Sequence, residues 1–231
     1  MKRLILFDID GTLLWTGEGA KRAFESAMVE VYGTAGPIAT HTLSGKTDPQ
    51  IARELLRADG FDDRVIDEGL PALWSSYLRR LRAELARPGY RTHVMPGVPA
   101  LLAALADRAD DVLVGLLTGN IEPGATLKLA SAALAPFRVG AYGSDSERRE
   151  DLPALAVERA HTLCGVAFRG RDVVVIGDTP SDVHCGRSIG VHAVAVATGT
   201  FDVAALQDAG ADAVLTDFAD TAAALDALLG V

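Results

Sequence analysis

Leu4–Phe7 is an unbroken apolar run that stops abruptly at Asp8-Ile9-Asp10-Gly11-Thr12, the pattern of a buried strand ending in a polar turn. From residue 18 to about residue 90 the periodicity changes to helical. Ala20, Ala23, Phe24, Ala27, Met28 and Val31 predict one helix stopping at Gly33. Asp48-Pro49 predicts the start of a second, with Asp48 as N-cap and proline at the first helical position. It carries Ile51, Leu55 and Leu56 and ends near Gly60. A third stretch, Asp62 to Arg87, has the stripe Leu70, Leu73, Trp74, Tyr77, Leu78, Leu81 and Leu85. Pro71 inside it predicts a break and a fresh start.

From residue 92 short apolar runs alternate with helical patterns. Strands are predicted at Val112–Leu117, weakly at Arg138–Ala141, at Asp172–Ile176 and at His192–Val196, with a short edge at Ala213–Leu215. Helices are predicted near 98–109, 122–134, 151–163, 181–188, 202–208 and 218–228. Runs that are β-branched and apolar throughout suit parallel strands covered on both faces. Alternating strand and helix then gives right-handed crossovers and a doubly wound α/β sheet. A helical block, 17–91, is therefore inserted into an α/β unit formed by 1–16 and 92–231, with candidate hinges at Leu13–Gly17 and Pro88–Pro96.

Charge narrows the partners. The chain of 231 residues carries 22 basic and 31 acidic residues, a formal charge of −9. That disfavours a nucleic-acid or anionic-membrane surface, though not a small anionic substrate. No apolar run is long enough to span a bilayer, and charge appears too early for a signal peptide. Cys164 and Cys185 lack metal-type spacing and read as thiols in a reducing cytoplasm. Oligomeric state leaves no mark in the sequence.

Candidate chemistry collects where ligands of open parallel sheets bind, beyond the carboxyl ends of the strands. The first strand ends in Asp8 and Asp10, the next in Thr118-Gly119-Asn120, and a later one in Gly177-Asp178 with Asp182 following. In an extended segment Asp8 and Asp10 project to one side, where two carboxylates need a shared proton or a cation. Asp8, Asp178 and a carbonyl near Asp10 would supply hard oxygen ligands for Mg²⁺. Thr118, Gly119 and Asn120, at a strand-to-helix turn, would cradle phosphate oxygens. Lys128 is the last lysine, so a cation further on must be arginine: Arg149, with Arg148 in reserve.

Asp8-x-Asp10-Gly11-Thr12, a strand ending in Thr118, a basic residue, and Gly177-Asp178-x-x-x-Asp182, in this order, resemble the four motifs of the haloacid dehalogenase superfamily. The helical insert after the first motif is similar to the C1 cap of its phosphoglycolate phosphatase and β-phosphoglucomutase-like branch. The resemblance implies a Rossmann-like core and cleavage of a small phosphomonoester. Asp8 would be the nucleophile, Asp10 the acid and base, and Asp8, the Asp10 carbonyl and Asp178 the Mg²⁺ ligands. Thr118 and Arg149 would stabilise the transferring group, and Asp182 would support the metal site or hold the cation. Arginine stands where the family usually has lysine.

Other readings stay open at this level. Asp182 could simply cap a helix, Arg149 could pair at the surface, and Thr118 could serve as a cap. Gly45, Lys46 and Thr47 are substrate-contact candidates in the cap loop, or a solvated loop. Trp15 lines the entrance or packs between domains. A phosphomutase, a phosphonoacetaldehyde hydrolase-like enzyme and a phosphate-binding pseudoenzyme are the rivals. Dehalogenation is disfavoured by Asp10, because resembling dehalogenases lack that acid.

Overall fold

The computed structural model describes residues 3–230. Its central sheet has six parallel strands: β1 (Arg3–Phe7), β4 (Val112–Thr118), β5 (Gly140–Tyr142), β6 (Val173–Gly177), β7 (His192–Val196) and β8 (Ala213–Leu215). The spatial order is β5-β4-β1-β6-β7-β8, so β1 is central and β4 and β6 flank it. Order reverses about β1, which places a crevice at its carboxyl end. A second, two-stranded sheet pairs β2 (Leu14–Trp15) with β3 (His93–Val94) antiparallel. It ties the two predicted hinge segments together.

Period-two alternation builds both faces of the large sheet. Ile5, Phe7, Val174 and Ile176 pack with Val98, Leu101 and Leu105 of α4 (Val98–Ala106) and Leu228 of α9 (Thr221–Leu229). Leu4, Leu6, Val173 and Val175 pack on the opposite side with Leu152, Ala156 and Ala160 of α6 (Leu152–Cys164). Asp8 follows in register with Leu4 and Leu6, and its amide still pairs with the Ile176 carbonyl. The backbone therefore aims Asp8 at the face where α6 and α7 (Pro180–Cys185) begin.

The inserted segment forms α1 (Gly19–Tyr32), α2 (Asp48–Ala58) and α3 (Asp63–Leu85) around an apolar cluster of its own. Phe24, Met28, Leu55, Leu56, Leu73 and Tyr77 are at its centre. Two expectations need correction here. Helix α3 runs unbroken through Pro71. Pro71 lies on the exposed side, where water can satisfy the carbonyl that loses its bond, while the stripe Ile66, Leu73, Tyr77 and Leu81 stays packed. The N-cap of α2 is Thr47 rather than Asp48: Thr47 Oγ1 accepts from the Gln50 amide at 3.2 Å. Asp48 occupies the first helical position and turns its carboxylate elsewhere.

The remaining helices are α5 (Glu122–Ser131), between β4 and β5, and α8 (Val203–Asp208), between β7 and β8. Helices α4 and α5 stop before their expected ends at 109 and 134, and single 3₁₀ turns at Arg149–Asp151 and Arg187–Ile189 flank α6 and α7. Among the described residues no helix is long and apolar enough to cross a membrane.

Candidate active site

Asp8 is nearly buried at the end of the central strand, and Arg149 meets it from the 3₁₀ turn that leads into α6. Arg149 Nη2 lies 3.2 Å from Asp8 Oδ1 and also donates to Asp182 Oδ1. Arg148 is exposed, so the fold brings in the other member of the pair. Burial opposes the guanidinium charge, but Asp182 and Asp8 outweigh it and hold Arg149 charged above its ordinary value. Its Nε is buried without a hydrogen-bond partner among the described residues.

Asp182 does two things at once. Its Oδ2 accepts from the Thr179 amide (3.0 Å) and hydroxyl (2.6 Å), completing a capping box at the start of α7. Its Oδ1 takes Arg149. The capping expectation and the charge-holding expectation therefore describe the two oxygens of one carboxylate.

Asp178 follows β6 and sits against Gly11 and Gly199. A Cβ at either glycine would overlap its carboxylate, and Gly11 adopts φ +81°, which a side chain would strain. Thr12 Oγ1 donates to Asp178 Oδ1 at 3.3 Å. Oxygens of Asp8, Asp178 and Asp182 all fall within 4.8 Å of one another. Desolvation pushes the Asp8 carboxyl up to about 7 despite Arg149. Desolvation, then the neighbouring Asp182 and Asp8, push Asp178 up to about 8. Three clustered carboxylates facing one guanidinium are an excess of negative charge that suits a divalent cation.

The Asp10 carboxylate is not in that cluster. The chain turns after β1, with the Leu13 and Leu14 amides folding back to the Ile9 carbonyl, so the extended register ends before Asp10. Asp10 Oδ2 instead accepts from Lys128 Nζ at 2.6 Å and Asn120 Nδ2 at 2.8 Å. Lys128 was missed by sequence reasoning as a site residue. It is 4% exposed on α5, within the inward stripe of Gly124, Ala125 and Leu129. A lysine in the buried stripe of a helix that follows a site strand was the available signal.

Thr118 is fully buried, and its hydroxyl accepts from Asn120 Nδ2 at 2.8 Å. Gly119 and Asn120 line the cavity; Thr118 lies beneath that wall. The turn is covered by the start of α2. Asp48 N–H donates to the Gly119 carbonyl at 2.7 Å, and Asp48 Oδ2 accepts from the Ile121 amide at 2.9 Å. Burial raises Asp48 to about 6, opposed by Lys128 and by that amide. Thr47 is buried and donates to the Glu147 carbonyl at 2.8 Å, behind the cavity wall. Gly45 and Lys46 line the cavity, with Lys46 Nζ 2.5 Å from Glu54 Oε2 of α2.

The cavity itself is about 660 Å³. Asp8, Asp10, Asp178, Arg149, Lys128 and Asn120 are among its polar lining. Phe24, Leu43, Ile51 and Tyr77 of the helical segment contribute apolar lining. Trp15, about half exposed, lines it at the junction with Met95.

Comparison with known proteins agrees with this geometry. Residues 5–187 match the family model for haloacid dehalogenase-like hydrolases. The phosphoglycolate phosphatase of Rhodospirillum rubrum is 27% identical over 224 residues, covering 95% of this chain and 89% of that protein. The Yersinia pseudotuberculosis phosphoglycolate phosphatase is 26% identical, covering 94% and 90%. In fold, the chain resembles CbbY from Rhodobacter sphaeroides in complex with xylulose-1,5-bisphosphate, with a TM-score of 0.73, 22% identity, and coverage of 95% and 96%. A family match over most of the length and a six-stranded parallel sheet carrying the acidic cluster lead to one conclusion: this chain belongs to the haloacid dehalogenase-like hydrolase family, in its phosphoglycolate phosphatase-like branch.

Proposed function

We propose that this phosphatase hydrolyses a small phosphomonoester through a phosphoryl group carried on Asp8, with Mg²⁺ as cofactor. One observation carries the reading. Two carboxylates two residues apart open into one cavity with separate partners, Asp8 on Arg149 and Asp10 on Lys128 and Asn120. Environments that differ in this way let one carboxylate act as nucleophile while the other moves protons.

In the first step an Asp8 oxygen attacks phosphorus as the bond to the leaving oxygen breaks, and Asp10 gives that oxygen a proton. Water then attacks the aspartyl phosphate, Asp10 takes its proton back, and phosphate leaves with Asp8 restored. Arg149 and the amides of the Gly119–Asn120 turn would meet the phosphoryl oxygens as charge spreads over them, with the Asn120 amide turning from the Thr118 hydroxyl. Asp8, Asp178 and the Asp10 carbonyl would hold the cation, with Asp182 keeping Arg149 in place. When bound, Mg²⁺ would neutralise phosphate charge beside two carboxylates that repel each other without it.

We read residues 17–91 as a cap on a core of residues 1–16 and 92–231, hinged at the β2/β3 pair. The apolar lining from Phe24, Ile51 and Tyr77 would exclude water and choose the leaving group. Two unpaired cysteines fit a reducing, cytoplasmic setting. Phosphoglycolate is the first candidate substrate, from the relatives over nearly the whole chain. The test is hydrolysis of p-nitrophenyl phosphate and a panel of phosphorylated metabolites, including phosphoglycolate. Activity should need Mg²⁺, stop with EDTA and be lost in Asp8→Asn. No turnover of any phosphoester by folded, metal-loaded protein would refute the reading.

A further inference from the structure

We propose that Lys128 is a positioning residue that fixes the Asp10 carboxyl for proton transfer to the leaving group; the inference rests on the phosphohydrolase reading above. Lys128 and Asn120 both donate to one oxygen, Asp10 Oδ2. Among the described residues Oδ1 takes no side-chain hydrogen bond, and the Asp10 side chain keeps 28% of its surface exposed within the cavity lining. Two donors on one edge remove the rotational freedom of the carboxyl. Oδ1 is left as the edge that can meet a leaving oxygen. Asn120 is itself fixed, because the same Nδ2 also donates to the buried Thr118 hydroxyl at 2.8 Å. The Asp10 orientation is thus tied to the rigid end of β4 through Asn120 and to α5 through Lys128.

Stability alone does not account for the lysine. Burying an ammonium is costly before pairing, and apolar residues of similar size usually serve buried positions as well or better. The neighbouring inward positions of α5 are Gly124, Ala125 and Leu129, so an apolar side chain would continue the stripe. The ammonium also acts on Asp48 at the start of α2, and so sits where the core acid and the helical segment meet. Positioning within a fraction of an ångström is what general acid catalysis requires of such supporting groups.

The proposal separates substrates by leaving group. A p-nitrophenolate needs little protonation as it departs, whereas an alkoxide needs a great deal. We therefore compare kcat/KM, with Mg²⁺, for p-nitrophenyl phosphate and n-propyl phosphate in the wild type, Lys128→Met, Lys128→Gln, Asp10→Ala and the double variant Lys128→Met/Asp10→Ala. Lys128→Met should lower kcat/KM for the propyl ester by about 30-fold or more, and for the aryl ester by no more than about threefold. Lys128→Gln, which keeps one donor, should show the same selectivity to a smaller degree and covers the case in which the methionine variant folds poorly. The double variant should be no slower than Asp10→Ala, because Lys128 acts through Asp10.

Equal losses on both esters would overturn the proposal, as would losses that multiply in the double variant. A higher KM for phosphoglycolate, assayed alongside the two esters, at unchanged kcat would overturn it too and make Lys128 a substrate contact. If the wild type and Asp8→Asn behave as the phosphohydrolase reading requires while this pattern fails, only the Lys128 proposal falls. If the wild type hydrolyses neither ester, both fall.

Discussion

Arg149 Nη2 stands 3.2 Å from Asp8 Oδ1, and both side chains are more than nine-tenths buried. No other guanidinium or ammonium pairs with Asp8 among the described residues. Arg149→Met would leave Asp8 and Asp182 as buried carboxylates without a counter-charge. Urea unfolding should register a loss of about 3 kcal/mol or more. The deficit should be larger above about pH 7 than below it, because protonation of Asp8 relieves the strain. Arg149→Lys keeps the charge but not the rigid guanidinium whose Nη2 bridges Asp8 and Asp182, so its kcat should fall between wild type and methionine. A methionine variant as stable and active as wild type would remove Arg149 from the site.

Metal affinity should depend on pH in a definite direction. Burial raises Asp8 to about 7 and Asp178 to about 8, from 3.8 in the unfolded chain. Between those limits the metal-free folded protein holds more protons than the unfolded chain, so these two groups cost stability as pH rises. A cation that binds the ionised pair must displace those protons. Mg²⁺ should bind more tightly at about pH 8 than at about pH 6, release protons in between, and raise the melting temperature more at the higher pH. Calorimetric titration in buffers of different ionisation heat measures the proton count. Constant affinity with no proton release contradicts the assignment of Asp8 and Asp178 as ligands.

Gly199→Ala tests the seat of Asp178. The new Cβ would overlap Asp178 Oδ2, so that carboxylate must swing away. Half-saturating Mg²⁺ should rise at least about tenfold while far-ultraviolet circular dichroism stays native, in keeping with the usual cost of disturbing a ligand's supports. An unchanged Mg²⁺ requirement would mean that Asp178 does not hold the metal.

Asp48→Ala tests how α2 sits on the phosphate-side turn. The variant removes the acceptor for the Ile121 amide but keeps Thr47 as the helix cap. Amide exchange at Ile121 should accelerate, and the KM for substrate should rise more than kcat falls. The stability change should be about 1 kcal/mol. Unaltered exchange at Ile121 would show that this bond does not hold the turn closed.

Local pattern made much of the fold legible. Most strands of the large sheet read as short apolar runs, only β5 (Gly140–Tyr142) weakly, and Asp8, Asp178 and the Thr118-Gly119-Asn120 turn stand where such runs stop. Tertiary context decided the rest. Pro71 breaks helices in isolation, yet on the exposed side of α3 it is outweighed by the stripe packed beneath it. Asp48-Pro49 has the composition of a helix start, but Thr47 one position earlier caps, and Asp48 reaches Ile121, 73 residues away. Asp10 and Lys128 are 118 residues apart, a pairing that only the packing of α5 beside β1 and β4 creates. The spacing of Asp8 and Asp10 suggested two carboxylates side by side on one side of a strand, with different roles. The turn at Ile9 gives them different partners, Arg149 for Asp8 and Lys128 for Asp10.

Passage of the phosphoryl group through Asp8 would leave a covalent intermediate that can be trapped. Acid-quenched mixtures of Mg²⁺-loaded enzyme and a turning-over phosphomonoester, digested and mapped by mass spectrometry, measure it directly. A phosphorylated peptide spanning β1, with the group on Asp8, should form within the first turnover and be absent in Asp8→Asn. Steady hydrolysis with no phosphoryl group on Asp8 at any quench time, together with inversion of configuration at an isotopically chiral phosphorus, would contradict passage through Asp8, because two successive displacements retain configuration and a single one inverts it.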